Sequence, residues 1–223
     1  MAYHGNCFFA HEQIAGKGQR GKTWTAEVSS NILLSIVMQP QFLELTQQFQ
    51  LSACMAVAVH QFLVNYAGND VKIKWPNDLY WKDRKMGGIL LENIVGSRQS
   101  AAANWQWAVA GIGININQTK FTEDLPNPVS LKQITGKTFD VIGLAKELCG
   151  SVGHYYDQLK NHGFEMILGQ YNEFLYKKNE IVKLKKDNRI FEATIKSVTG
   201  TGKLVTQHAI EEIFDHGQVE WQL

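Results

Sequence analysis

Two short runs, Lys74-Trp75-Pro76-Asn77-Asp78 and Lys85-Met86-Gly87-Gly88-Ile89-Leu90, constrain this chain more than any other feature. Val71 to Lys74 alternates apolar with basic residues, as a half-buried strand does. Pro76 removes a backbone donor and predicts an extended Trp75. Asn77 and Asp78 are residue types that bond their own backbone in turns. Leu79-Tyr80-Trp81 resumes a strand, Lys82-Asp83-Arg84 supplies a polar turn, and Lys85 through Ile94 runs back. The pattern predicts neighbouring strands with two lysines, an amide and a carboxylate near their ends. Gly87 and Gly88, inside the returning strand, predict close approach of a ligand to the backbone.

Upstream lies Gln13-Ile14-Ala15-Gly16-Lys17-Gly18-Gln19-Arg20-Gly21-Lys22-Thr23-Trp24. It satisfies G-x-G-x-x-G and G-x-x-x-x-G-K-T formally. Both patterns need a helix whose first N–H groups take the phosphate. Here only Trp24 to Ser30 separates the loop from Asn31 to Met38, an apolar run that reads as a buried strand. No acidic residue stands about 20 positions on to hold a ribose. The better reading is a mobile glycine-rich loop whose Lys17, Arg20 and Lys22 close over an anion.

Asn6 to His11 reads as a buried strand, and Gln47 to Tyr66 as a helix with Leu51, Met55, Ala58 and Phe62 at helical spacing. His60 is expected at the surface or in a cap. Ser97 to Ala103 reads as a polar loop and Pro126 to Pro128 as a turn. Trp105 to Asn117 alternates as a strand, and its Gly111 and Gly113 imply that something presses on its backbone. Two helices follow, from Phe139 to Lys160 and from Phe164 to Tyr176, with His154 and His162 structural or solvent-facing. After Asn179, five short apolar runs separated by Asp187-Asn188, Gly200-Thr201-Gly202 and Asp215-His216-Gly217 predict a small β-barrel.

Hydrophobic residues make up 44% of the 223, enough for a sizeable core, and a net charge of +1 gives no general attraction to nucleic acid. Cys7, Cys54 and Cys149 lie far apart in no metal spacing, so buried thiols are expected. Apolar stretches fall short of a membrane span and no signal-peptide order is present, so a cytoplasmic protein is expected. No Ser-His-Asp or Cys-His arrangement stands out.

The motifs resemble those of the biotin–protein ligases: Lys74 to Asp78 for Lys-Trp-Pro-Asn-Asp, Arg84 to Leu90 for Arg-Lys-x-x-Gly-Ile-Leu, and Gly111 to Asn115 for Gly-x-Gly-Ile-Asn. Gly16 to Lys22 stands where that family has Gly-Arg-Gly-Arg-x-Gly-Arg, with Lys17, Gln19 and Lys22 replacing arginines. The resemblance implies an α+β fold: a mixed sheet backed by helices over residues 1–178, and a small barrel resembling a Src-homology-3 domain over 179–223. It implies that Lys85 is catalytic and that Gln13, Lys17, Gly18, Gln19, Lys85 and Gly88 bind biotin. Lys22, Trp24, Lys74, Asn77, Asp78 and Asn115 would bind the nucleotide, and Asp78 would reach Mg²⁺ through the phosphates.

The implied reaction is activation of biotin by ATP to biotinyl-adenylate, then transfer to a lysine of a biotin carboxyl carrier domain. A lipoate–protein ligase and a non-catalytic biotin or adenylate sensor are the rivals. Family members also carry Asp-Ser-Thr-Asn before the loop, and some carry a winged DNA-binding domain. Neither is found ahead of Gln13, so a longer natural chain is expected, without DNA binding, and an uncovered sheet edge leaves a homodimer open.

Overall fold

Alternating apolar residues on four consecutive β segments assemble the frame of the molecule. A computed structural model describes residues 3–96, 105–122, 125 and 127–222. The strands are β1 (Cys7–Phe9), β2 (Ile32–Met38), β3 (Val71–Lys74), β4 (Asp78–Trp81), β5 (Arg84–Val95) and β6 (Trp105–Ile114). They form one sheet in the order β1-β2-β6-β5-β4-β3. Every ladder in it is antiparallel, where a mixed sheet was expected. Parallel pairing is confined to isolated bridges, among them Ile73 with Leu175 and Lys85 with Pro128. The physical reason is connectivity: β3, β4 and β5 follow one another through short turns, which leave no room for the crossover that parallel neighbours require.

One face of this sheet is covered by helices α1 (Gln48–Ala67) and α3 (Val141–His162); α4 (Glu165–Glu173) packs against α1, and a short α2 (Leu131–Thr135) precedes α3. α2 opens on a capping box in which Ser130 and Gln133 bond each other's backbone. α1 is apolar around most of its circumference, and Leu51, Met55 and Leu63 are wholly buried between the sheet and α3. Ile32, Ile73, Leu79, Met86 and Ile114 supply the sheet side of the same core. His60 is part of it, 3% exposed, not at the surface as expected. Its Nε2 bonds the Val71 carbonyl at 3.0 Å and its ring stacks on Phe174, and burial pushes its pKa down to about 4.

The edge strand β1 is exposed, with Phe8 58% accessible, so the buried strand expected over Asn6 to His11 is a short marginal one. Of the three thiols Cys54 is buried, but Cys7 is exposed and Cys149 half-buried. The loop expected over Ser97 to Ala103, and Pro126 of the expected turn, lie outside the described residues.

The last strands are β7 (Ile181–Lys186), β8 (Arg189–Val198), β9 (Leu204–Gln207), β10 (Glu211–Phe214) and β11 (Glu220–Gln222). They pair in the order β10-β9-β8-β7-β11, a five-stranded antiparallel sheet that is left open between β10 and β11. Closure into the expected barrel needs staggered strands long enough to meet across the gap. β10 and β11 have four and three residues.

Candidate active site

Register places a row of chemically unusual residues on the face that the helices leave open. Directly opposed residues share a face. The pairs run from Lys74 to Asp78, from Asp78 to Gly88, from Gly88 to Gly113 and from Gly113 to Leu33. Two glycines in succession make a floor of bare backbone between a lysine–aspartate pair and the glycine-rich loop.

Lys85 joins this row through an irregularity that alternation alone does not foresee. Gly88 and Gly87 pair with Asp78 and Leu79, but Tyr80 then pairs with Lys85, so Met86 is an extra residue. Strict alternation from Gly88 would turn Met86 to the open face and Lys85 into the core. The bulge reverses this: Met86 is fully buried, and Lys85 shares the face of Tyr80 and Asp78. Lys85 Nζ then lies 2.8 Å from Asp78 Oδ1, with the two side chains 29% and 25% exposed. A Cβ on Gly88 would sit 3.0 Å from that same carboxylate oxygen and 3.6 Å from Lys85 Nζ, so glycine there makes room for the pair.

Lys74 completes the cationic side. Its Nζ donates to the Tyr80 hydroxyl at 3.1 Å, 4.7 Å from the Tyr80 ring centre and 5.4 Å from that of Trp221. Burial in this aromatic surround pushes its pKa down to about 8; Asp78 opposes the shift, while Lys85 and Lys22 add to it. Trp221 Nε1 is buried without a partner.

The glycine-rich segment folds as a small pinched loop. Lys17 bridges Thr23, Gly18 N donates to Lys22 O at 2.7 Å, and Trp24 N donates to Gly16 O at 2.9 Å. Its tip is a single helical turn, Gln19–Gly21, in which Arg20 has φ 56°. No long helix starts there, which removes both phosphate-loop readings. Gln13, Lys17 and Lys22 are exposed, and Gly18 and Gln19 half-buried. Trp24 drops from the loop onto Gly113, where a Cβ would come within 2.6 Å of its ring. That is the pressure on the β6 backbone expected from the glycines. Lys85 Nζ is 5.9 Å from the centre of the Trp24 ring, and Trp24 Nε1 is buried without a partner.

The second sheet closes one end. Arg20 Nη1 donates to Gly217 O at 3.4 Å, and His216 meets the Trp75 ring edge-on at 5.8 Å between centres. Trp75 Nε1 donates to Gly202 O at 3.0 Å. Burial, with Arg20 nearby, lowers the His216 pKa.

Lys74, Asp78, Lys85, Gly88 and Trp24 therefore converge, and the loop carrying Gln13 to Lys22 stands beside them. Asn77 and Asn115 are held otherwise. Asn77 Nδ2 donates to Ile89 O, and Asn115 Nδ2 donates to Val129 O at 3.2 Å, so their amide groups tie loops to β5 and the segment before α2. Sequence reasoning missed Tyr80, whose spacing of two from Asp78 was a usable signal. It also missed Trp221 and His216, for which no local signal existed.

A model of the biotin/lipoate A/B protein ligase family matches residues 2–107. Over that stretch, a little under half of its length, the chain carries this family's domain. It is 28% identical over 220 residues to the bifunctional ligase/repressor BirA of Bacillus spizizenii, covering 96% of this chain and 65% of that protein. It is 30% identical over 164 residues to the biotin–[acetyl-CoA-carboxylase] ligase of Paracoccus denitrificans, covering 71% of this chain and 65% of the relative. The chain thus spans less than two thirds of the length of these relatives. In fold it is similar to the biotin protein ligase of Aquifex aeolicus in complex with biotin and ATP, with a TM-score of 0.82, 22% identity and coverage of 100% and 90% of the two chains.

Proposed function

We propose that the protein activates biotin with ATP and transfers the acyl group to a lysine of a biotin carboxyl carrier domain. The observation that carries this reading is the Lys85–Asp78 pair at 2.8 Å beside the bare floor of Gly88 and Gly113, under a basic glycine-rich loop. The names of the relatives support it.

In the first step a biotin carboxylate oxygen bonds to the α-phosphorus of ATP, the bond to the bridging oxygen breaks, and pyrophosphate leaves. In the second, the ε-amine of the carrier lysine attacks the acyl carbon, and AMP leaves as the amide forms. Both steps gather negative charge on oxygen, which fixed cations in a partly dry site stabilise. Lys85 faces the carboxylate and its developing charge. Lys74 and Lys22 face the phosphates. Trp24, its N–H unpaired, offers a ring and a donor to the nucleotide. Gly88 lets the ligand lie against the backbone, and Gln13, Lys17, Gly18 and Gln19 border biotin from the loop. Asn77 and Asn115 act as positioning residues through the backbones that they hold.

Among the described residues no group of three potential metal ligands occurs. A single carboxylate, Asp78, fits Mg²⁺ arriving with phosphates, which needs only one or two protein oxygens. Bound there, the ion would neutralise phosphate charge. We further assign residues 1–178 to the catalytic domain and 179–223 to a second, smaller one, in a cytoplasmic protein. No described helix is long and apolar enough to cross a membrane.

Incubation with ATP, Mg²⁺, labelled biotin and an isolated carrier domain tests the proposal. Label on the carrier, dependent on ATP, is expected. Label on the carrier from lipoate but not biotin, or tight binding of biotin with no pyrophosphate released, overturns it in favour of the lipoate ligase or the sensor.

A further inference from the structure

The open face absorbs the lysines and glycines, but it leaves unused a pair of sulfurs at the other side of the sheet. Cys149 Sγ donates to Cys7 Sγ at 3.4 Å, although the residues are 142 positions apart. Cys7 pairs with Ile36 in β1, and Ile36 faces the helix layer together with Ala110, so Cys7 is turned toward α3, where Cys149 sits. A disulfide needs about 2.05 Å between sulfurs, so a closing movement of roughly 1.4 Å suffices.

The two thiols are not equivalent. Cys7 is exposed and is the sulfur that a dissolved reagent meets first. Cys149 is half-buried, and its burial and the adjacent Cys7 sulfur push its pKa up to about 12. It waits as a protonated partner. Capping Cys7 removes its hydrogen bond and charge while burial, the larger cause, remains; Cys149 is the resolving thiol because its sulfur already lies 3.4 Å from that of Cys7.

We propose that Cys7 and Cys149 form a thiol–disulfide exchange site that takes a small-molecule disulfide such as oxidised glutathione and ends as a reversible Cys7–Cys149 cross-link. The Cys7 thiolate attacks one sulfur of the reagent, forming a mixed disulfide and expelling one glutathione thiolate. Cys149, losing its proton to solvent, then attacks Cys7 Sγ and expels the second. Two protein thiols are oxidised, and one oxidised glutathione is reduced to two thiols. Excess thiol runs the sequence backwards, as for the transient disulfides of reducing compartments.

The location gives the cross-link a consequence. β1 is a three-residue edge strand, held to β2 at Cys7, Phe8 and Phe9, and six residues beyond Cys7 the chain reaches Gln13 and the glycine-rich loop. A covalent tie from Cys7 to α3 fixes the root of that loop.

The test uses the full chain in its native state, with no ATP or biotin, so its outcome is separate from that of the proposed ligase reaction. After oxidised glutathione and alkylation, mass spectrometry should find the Cys7 and Cys149 peptides joined within one chain, and Cys54 free. The oxidised protein should melt on the order of 5 °C higher than the reduced form. Cys149→Ser should instead accumulate a glutathione adduct on Cys7 and show no rise. A wild-type protein that retains the adduct on Cys7 as fully as Cys149→Ser, links through Cys7 to a second chain, or leaves both thiols free overturns the proposal.

Discussion

Lys85 Nζ and Asp78 Oδ1 meet at 2.8 Å across two strands, directly over a residue with no side chain, Gly88. The pair neutralises itself when no ligand is bound, and it holds the ammonium at a fixed point on the open face. A methyl group at position 88 would lie 3.0 Å from Asp78 Oδ1 and force the carboxylate aside by a few tenths of an ångström. Gly88→Ala is therefore expected to lower the adenylation rate about 10- to 100-fold, as small misplacements of reacting groups do. Its melting temperature should hold or rise slightly, because alanine suits a strand interior better than glycine. Loss of activity that follows loss of fold would remove the positioning argument.

Lys74 provides a pH signature. Its pKa is about 8 in the folded protein against 10.5 unfolded. Between those values the unfolded chain binds more protons, so this group makes stability rise with pH through that window. Below about pH 8 its buried charge costs stability in full. Lys74→Met should be the more stable protein at pH 7, with the advantage shrinking from about pH 8 to 10.5. Its KM for ATP should rise roughly 10- to 100-fold, the value of one charged hydrogen bond. Denaturant titrations across pH check the first expectation, and steady-state kinetics the second.

Trp24 and Gly113 should behave as one unit. A Cβ at position 113 would be 2.6 Å from the Trp24 ring, which must lift away. Gly113→Ala should destabilise the protein by about 1–3 kcal/mol, the usual range for overpacking. In a Trp24→Ala background the same change should cost almost nothing. A double-mutant cycle in urea measures the coupling, and additive effects would place Trp24 elsewhere.

Arg20, the one arginine of the loop, is engaged at the second sheet. Its left-handed φ of 56° turns the side chain toward Gly217 O, where it links the loop tip to the second sheet. The loop therefore lacks a guanidinium at position 19. Gln19→Arg should slow release of the bound acyl-adenylate, measured by chase with unlabelled biotin and ATP. An unchanged release rate would mean that Arg20 already supplies the charge, or that the loop does not clamp the intermediate.

The hairpin of β3, β4 and β5, the helices α1, α3 and α4 and the five closing strands were legible because each is a local pattern of period two or 3.6. Lys85, Asp78 and Lys74 were legible as a motif. How they meet was not, because it depends on the bulge at Met86, and alternation would have buried Lys85. The aromatic surround of Lys74 was hidden for another reason. Trp221 comes from 147 positions away, and only the docking of the second sheet brings it there. His60 was misplaced because Phe174, 114 positions further on, and the Val71 carbonyl on the strand that follows α1 are what make its burial tolerable. The open second sheet reflects strand length, which turn signals do not report.

The most direct measurement is biotin-dependent exchange of labelled pyrophosphate into ATP, in the wild type and in Lys85→Ala. The exchange follows the first chemical step alone and needs no carrier. The wild type should exchange only when biotin is present. Lys85→Ala, folded as judged by circular dichroism, should exchange on the order of 10²–10³ times more slowly, the loss typical of one donor aimed at developing oxygen charge. Exchange at a near-normal rate in Lys85→Ala, or none in a wild type that binds biotin, would contradict the role given to Lys85 and the ligase chemistry built on it.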